Sequence, residues 1–318
     1  MHLSRFLLPG VAAALLGLAA CDVIAPVEPV PRPPERPAKL PAPVEPARPE
    51  QTAESRQLEQ YYRSVQDSLV AQGLLRTDGG GPDTPFTERQ LVENFVRIAL
   101  FEEYATEGGR IVARQTESRL HRWETPIEMQ VEFGDTVPRD KRVRDRNAIS
   151  AYADRLSRVT SLPIRQVPSG GNFNVFVVNE PERRALGPRL RKLIPGMSEA
   201  AIETVVDLPR TSYCLVFALD PDDSGAYTRA VAIIRGEHPD LLRLSCIHEE
   251  LAQGLGLSND SPAARPSVFN DDEEFGLLTT HDEYLLRILY DDRLEPGMDA
   301  KTARLRAAEV AAELLPES

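Results

Sequence analysis

Ten prolines fall between Asp22 and Glu50, and no regular element survives that density. Proline lacks the backbone N–H and holds φ near −65°, so the stretch can enter neither a helix interior nor a sheet ladder. Val, Ala, Glu and Arg fill the gaps between the prolines. The segment is expected to be extended and solvated, and at about 3.1 Å per residue it reaches on the order of 90 Å. A proline-rich ligand for a recognition domain has the same composition. The absence of aromatic residues from the stretch favours neither reading. Whatever folds must lie beyond it, and what remains is enough for one good-sized domain with an ordinary core.

In front of the spacer, Arg5 precedes an apolar run from Val11 to Ala20, which closes on Leu18-Ala19-Ala20-Cys21. A positive start, a short apolar core and small residues before a cut make a secretory signal. A cut before cysteine resembles the lipobox of bacterial lipoproteins. That resemblance implies that Cys21 becomes the new N-terminus and carries lipid, palmitate included, so that a membrane is the first partner. An ordinary signal peptide and an uncleaved anchor are the alternatives, and the run is shorter than the roughly 20 residues an anchor needs. Asp22, directly after the cysteine, resembles an inner-membrane retention signal, with the outer membrane as the alternative. The expected organisation is a signal peptide at 1–20, a lipidated linker at 21–51, an amphipathic helix at 52–78, a globular domain at 84–300 and a helical tail at 301–318.

The net charge is −12, which argues against nucleic acid as a partner. No second apolar stretch approaches membrane-spanning length. The cysteines are Cys21, Cys214 and Cys246. With Cys21 lipidated, one pair remains in an oxidising compartment, and a Cys214–Cys246 disulfide is expected over two buried free thiols.

Leu58, Tyr61, Tyr62, Val65 and Leu69 recur at helical spacing and predict a helix over 54–75, ended by Gly79-Gly80-Gly81-Pro82. Thr87 and Gln90 match a capping box at the head of a second helix, which Gly108-Gly109 would end. Strands are expected at 127–133, 164–167, 174–178, 213–219 and 228–234, and helices at 142–159, 182–193 and 239–257. Asp222 to Gly225 reads as a turn. This pattern predicts an α+β (α/β-like) fold, with a small mixed sheet flanked by helices and an amphipathic helix on the N-terminal side. His121 and His238, beside charged or proline residues, read as surface positions, and Trp123 as core.

Glu249 to Asn259 reads E-E-L-A-Q-G-L-G-L-S-N. The segment is similar to the zincin helix motif H-E-x-x-H-x-x-G-x-x-H, in which imidazoles bind zinc and the glutamate is general base. Glu250 matches the glutamate and Gly256 the glycine. Glu249, Gln253 and Asn259 stand where the three ligands would be. His248 is one residue out of register, a rotation of about 100° on a helix, and its i+4 partner is Ala252. Oxygen donors suit a harder cation than zinc. The alternative is a solvated helix face.

Downstream come Pro266-Ser267-Val268-Phe269-Asn270-Asp271, then Leu278-Thr279-Thr280-His281-Asp282, then Pro296-Gly297-Met298. With the Glu249 helix, these resemble an uncharacterised group of Gram-negative envelope lipoproteins, domain of unknown function 2927, over roughly residues 85–300. The resemblance implies a periplasm-facing, lipid-anchored protein and assigns no activity. Thr279-Thr280-His281-Asp282 reads as a helix cap. Its alternative places His281, with Asp260, beside Glu250 as an auxiliary group. Two functions follow. One is a non-catalytic, zincin-like binding or scaffold domain for an envelope protein or peptide, with no cofactor. The other is a metal-dependent hydrolase or peptidase, with a divalent ion on nonstandard ligands and Glu250 as general base.

Overall fold

The computed structural model describes residues 49–107, 110–270 and 272–315, all within one unit, Ala47–Ser318. The signal segment, Cys21 and Asp22 lie outside the described residues, as do Gly108 and Gly109.

Helix α1 (Ala53–Ala71) starts at Thr52, whose hydroxyl accepts from Ser55 N. It buries little beyond Ser55 and Tyr62, and it ends short of residue 75, with Gly73 at φ +79°. The Thr87–Gln90 capping box forms as expected and opens α2 (Glu88–Ala99). The next segment departs from expectation. The apolar pattern at Leu100 and Phe101 does not continue the helix. The chain turns into a hairpin, β1 (Phe101–Glu107) against β2 (Arg110–Glu117), antiparallel with an irregularity between Glu102 and Tyr104.

The remaining elements in chain order are β3 (Arg122–Trp123), β4 (Ile127–Phe133), α3 (Arg139–Thr160), β5 (Ile164–Gln166), β6 (Phe173–Val178), α4 (Glu180–Arg184), α5 (Gly187–Leu193), α6 (Glu199–Val206), β7 (Cys214–Leu219), β8 (Ala226–Tyr227), β9 (Arg229–Arg235), α7 (Asp240–Gln253), α8 (Thr280–Leu289) and α9 (Ala300–Leu314). The basic helix expected over 182–193 is two. Pro188 in the first turn of α5 lacks the N–H that would continue α4.

The main sheet runs β5-β4-β6-β9-β7. Its first four strands are parallel, and β7 lies antiparallel to β9 at the edge. Central strand β6, Phe-Asn-Val-Phe-Val-Val, is buried along its whole length, as expected of a strand covered on both faces. Side chains alternate between two cores. Phe173, Val175, Val177, Ala230, Ala232 and Ile234 face the larger one, beneath α2, α3, α7, α8 and α9. Phe176, Val178, Val231 and Ile233 face Leu190, Ile202 and Val205 of α5 and α6. Gly171 lets the chain cross β4, because a Cβ there would lie 2.5 Å from the Glu128 carbonyl oxygen.

Helix α9 packs on α2 through buried Ala303, Ala307 and Ala311, so it belongs to the core. Helix α7 has no side-chain cap of its own. Its Leu242 N–H donates instead to Gln66 Oε1 of α1, at 3.0 Å. Ser55 of the same helix donates to Glu237 Oε1, at 2.9 Å. Among the described residues no helix is long and apolar enough to cross a membrane.

Candidate functional site

A cleft of about 920 Å³ opens between edge strand β7 and the C-terminal half of α7. The whole of β7 forms one wall. Cys214, Val216 and Ala218 turn toward the α7 side, and Leu215, Phe217 and Leu219 toward the α6 side. Glu249, Glu250 and Gln253 form the floor, continued by Asp260, Val268 and Asn270 from the loop beyond α7. A disulfide joins wall to floor: Cys214 of β7 is bonded to Cys246 of α7, with Cα atoms 5.9 Å apart. The pairing expected from the cysteine count is therefore present.

The chain beyond α7 is held by backbone contacts that explain its sequence. Trp123 Nε1–H donates to Gly254 O at 2.8 Å, and Tyr290 O–H donates to Leu255 O at 2.8 Å. These satisfy carbonyls that a helix end leaves open. Gly256 sits at φ +121°, and a Cβ there would lie 2.2 Å from His121 O. Only glycine fits this turn.

The residues singled out from the sequence divide into two groups. Glu249, Glu250, Gln253 and Asp260 meet at the cleft. Gln253 Nε2–H donates to Asp260 Oδ1 at 3.1 Å, and Glu250 and Gln253 are largely buried. Asn259 and His281 are fully buried and go elsewhere. Asn259 Nδ2–H donates to Arg97 O at 2.8 Å. His281 Nε2 lies 3.0 Å from Asn94 Nδ2, with its ring edge-on to Phe86. The capping reading of 279–282 is the one the geometry carries: Thr279 and Asp282 form a reciprocal capping box at the start of α8.

Asp282 also binds the preceding motif. It accepts from Ser267 Oγ and from Val268 N, while Thr279 Oγ1 donates to Pro266 O. The two most distinctive downstream motifs are thus bonded to each other, and together they shape the loop that brings Val268 and Asn270 to the cleft floor.

His248 is turned away as the register argument requires. Its ring stacks on Tyr152 at 4.0 Å between centroids, and Nδ1 accepts from Leu278 N at 3.1 Å. Burial pushes its pKa down to about 3. His238, expected at the surface, is fully buried against Tyr62 and Tyr213, and burial holds it well below the ordinary imidazole range. His121 lines the cleft, with Nε2 3.5 Å from Asp220 Oδ2 and its ring stacked on Tyr227. Sequence reasoning missed it as a cleft residue, because its place depends on the β3–β8 pairing, which brings residues 122 and 226 together.

The donors do not suit zinc. Glu249 and Gln253 supply oxygen and amide groups, and the third ligand position, Asn259, is sealed in the core. Among the described residues, no three His, Cys, Asp or Glu side chains are placed to share a metal ion.

No curated protein and no solved structure matches this chain. One family model does, over the stretch that runs from the start of α2 into α9 and carries every cleft motif named above. That match, at residues 88–307, spans more than half the sequence, so the chain belongs to the family described as protein of unknown function DUF2927.

Proposed function

We propose that the chain is an envelope lipoprotein, held to a Gram-negative membrane through a lipid on Cys21 and facing the periplasm. Asp22 favours the inner membrane over the outer. Its domain is a zincin-like scaffold that binds an extended segment of a peptide or envelope protein without cleaving it. One observation carries this reading. The cleft floor presents Glu249, Glu250 and Gln253 beneath a strand edge that pairs with no other strand among the described residues. A strand edge is a ready template for a further strand. Two features support the zincin likeness: an antiparallel edge strand beside parallel ones, and a helix that ends in the Gly256 turn.

A hydrolase is the second reading, favoured by the position of Glu250 on the floor beside the Gln253–Asp260 pair. It would need a divalent ion held by Glu249, Gln253 or Asp260. Two measurements on the purified full chain separate the readings. Elemental analysis is expected to find less than stoichiometric metal. Glu250→Gln, which keeps size and helix propensity, is expected to leave the melting temperature and in vivo function nearly unchanged. Tightly bound stoichiometric metal, or a well-folded Glu250→Gln protein with a null phenotype, would reverse the choice.

A further inference from the structure

We infer that the Cys214–Cys246 disulfide is a thiol-exchange site: a thiolate entering the cleft attacks Cys214, and Cys246 is the sulfur released. The two halves of the bond have unlike surroundings. Cys214 lines the cleft and is part-exposed with β1 and β2 in place. Cys246 is 2 % exposed and lies among core residues. A nucleophile reaches the half that faces the cleft, so access decides which sulfur is attacked. The strand-edge reading above adds the substrate class: a cysteine carried by the segment laid along β7.

His238 stands behind the buried half. Its Nδ1 lies 3.8 Å from Cys246 Sγ, while Nε2 is buried without a hydrogen-bond partner. Tyr62 and Tyr213 close in the ring. A neutral imidazole has one N–H, and on Nδ1 that N–H points at the sulfur. A disulfide sulfur is a weak acceptor and a thiolate a strong one, so the contact strengthens as the bond breaks. Arg235, Arg243 and Lys141, paired as they are with Glu180, Asp145 and Glu59, add to burial in keeping His238 neutral. The same positive field favours an anion at Cys246. A purely structural staple needs no such neighbour, and a buried imidazole with one nitrogen unpaired costs stability.

The exchange balances within these groups. The incoming thiolate forms a bond to Cys214 Sγ, the Sγ–Sγ bond breaks, and its electron pair leaves on Cys246, where His238 Nδ1–H donates to it. The products are a mixed disulfide at Cys214 and a thiolate at Cys246. Attack by Cys246 on Cys214 releases the partner unchanged. A second thiol on the partner instead carries the disulfide away and leaves both cysteines reduced. Strand β7 keeps its place meanwhile through its pairing with β9.

Reduced glutathione is the first probe, added to the full chain in mild detergent, folded and in urea. N-ethylmaleimide stops the reaction, and mass spectrometry maps the cysteines. The native disulfide is expected to open at least about tenfold faster than the same bond in the unfolded chain, with glutathione on Cys214 and N-ethylmaleimide on Cys246. His238→Phe, which keeps a buried ring and removes the N–H, is expected to slow the native reaction at least about tenfold. His238→Leu replaces it should phenylalanine fail to fold. Structural damage would expose the bond and speed the reaction, so slowing reports the lost N–H. A native bond that opens no faster than the unfolded one, glutathione on Cys246, or a folded variant that reacts at the parent's rate overturns the inference. A threonine–valine peptide of about nine residues with one central cysteine is the second probe, and it is expected to react at least about tenfold faster than glutathione. A peptide no faster than glutathione, with glutathione still on Cys214, keeps the exchange site and overturns the strand-edge reading.

Discussion

His248 shows how much one residue of register decides. Its neighbours in sequence, Glu249 and Glu250, line the cleft, while its own ring is stacked on Tyr152 and bonded to Leu278 N. The imidazole is buried neutral, so unfolding exposes a group that takes up a proton below its ordinary pKa near 6.5. The native state resists that proton until about pH 3. Stability is therefore expected to fall as pH drops from 6.5 toward 3, by about 1.4 kcal/mol per pH unit for this group. His238, also held low by burial, acts in the same direction. His248→Gln should flatten the dependence of melting temperature on pH in this window, while lowering stability near neutrality by about 1–3 kcal/mol through the disturbed Leu278 contact. An unaltered slope would contradict the assignment. At Gly256 the backbone conformation and the closeness of His121 O leave no room for a side chain. Gly256→Ala is expected to destabilise by about 3 kcal/mol or more, read as a fall in the urea midpoint at unchanged m-value. Gly256 was legible from its motif. The burial of Asn259 was not, because its hydrogen bond to Arg97 O is made by a helix more than 150 residues earlier.

At the scale of elements, local chemistry was readable where it was self-contained. The Thr87–Gln90 box, the Thr279 cap, the alternation in β4 and the Val- and Ile-rich run of β9 each depend on residues within a few positions. The β1–β2 hairpin was not readable. Leu100 and Phe101 extend a helical pattern, and only pairing with 110–117 makes the next residues a strand. Likewise α9 reads as a helical tail until α2 supplies the surface its alanines fill. The Cys214–Cys246 bridge joins two elements separated by 32 positions, and it follows from counting thiols rather than from local pattern. A loop of that length is expected to contribute about 3–4 kcal/mol by restricting the unfolded chain. Denaturant titration of Cys214→Ala with Cys246→Ala checks this. Unfolding midpoints that coincide with those of the parent would show that the bridge adds nothing. The unreduced, denatured parent should titrate no thiol from this pair.

For the whole molecule, the sequence predicts an α+β fold, and the described residues have that fold class. The anchor is tested by fractionation. Cys21→Ser is expected to release the chain from membranes or to leave a longer, unprocessed form. A variant that sediments and migrates like the parent would remove the lipoprotein proposal. The site was legible to the extent that one helix carries it. Its opposite wall, supplied by β7, and its end, supplied by His121 and Asp220, come from long-range topology.

The family match begins at residue 88, yet the first turn of α7 is capped by Gln66 and the approach to it is bonded to Ser55. The stretch that matches the family model is therefore shorter than the unit that completes this cleft's floor helix. A relative with no counterpart of α1 must offer another acceptor to the same N–H, from a side chain at the position of Pro239 or from a neighbouring loop. Where relatives differ upstream of the shared region, a compensating Ser, Thr, Asp or Asn at that one position is the trace such a loss would leave.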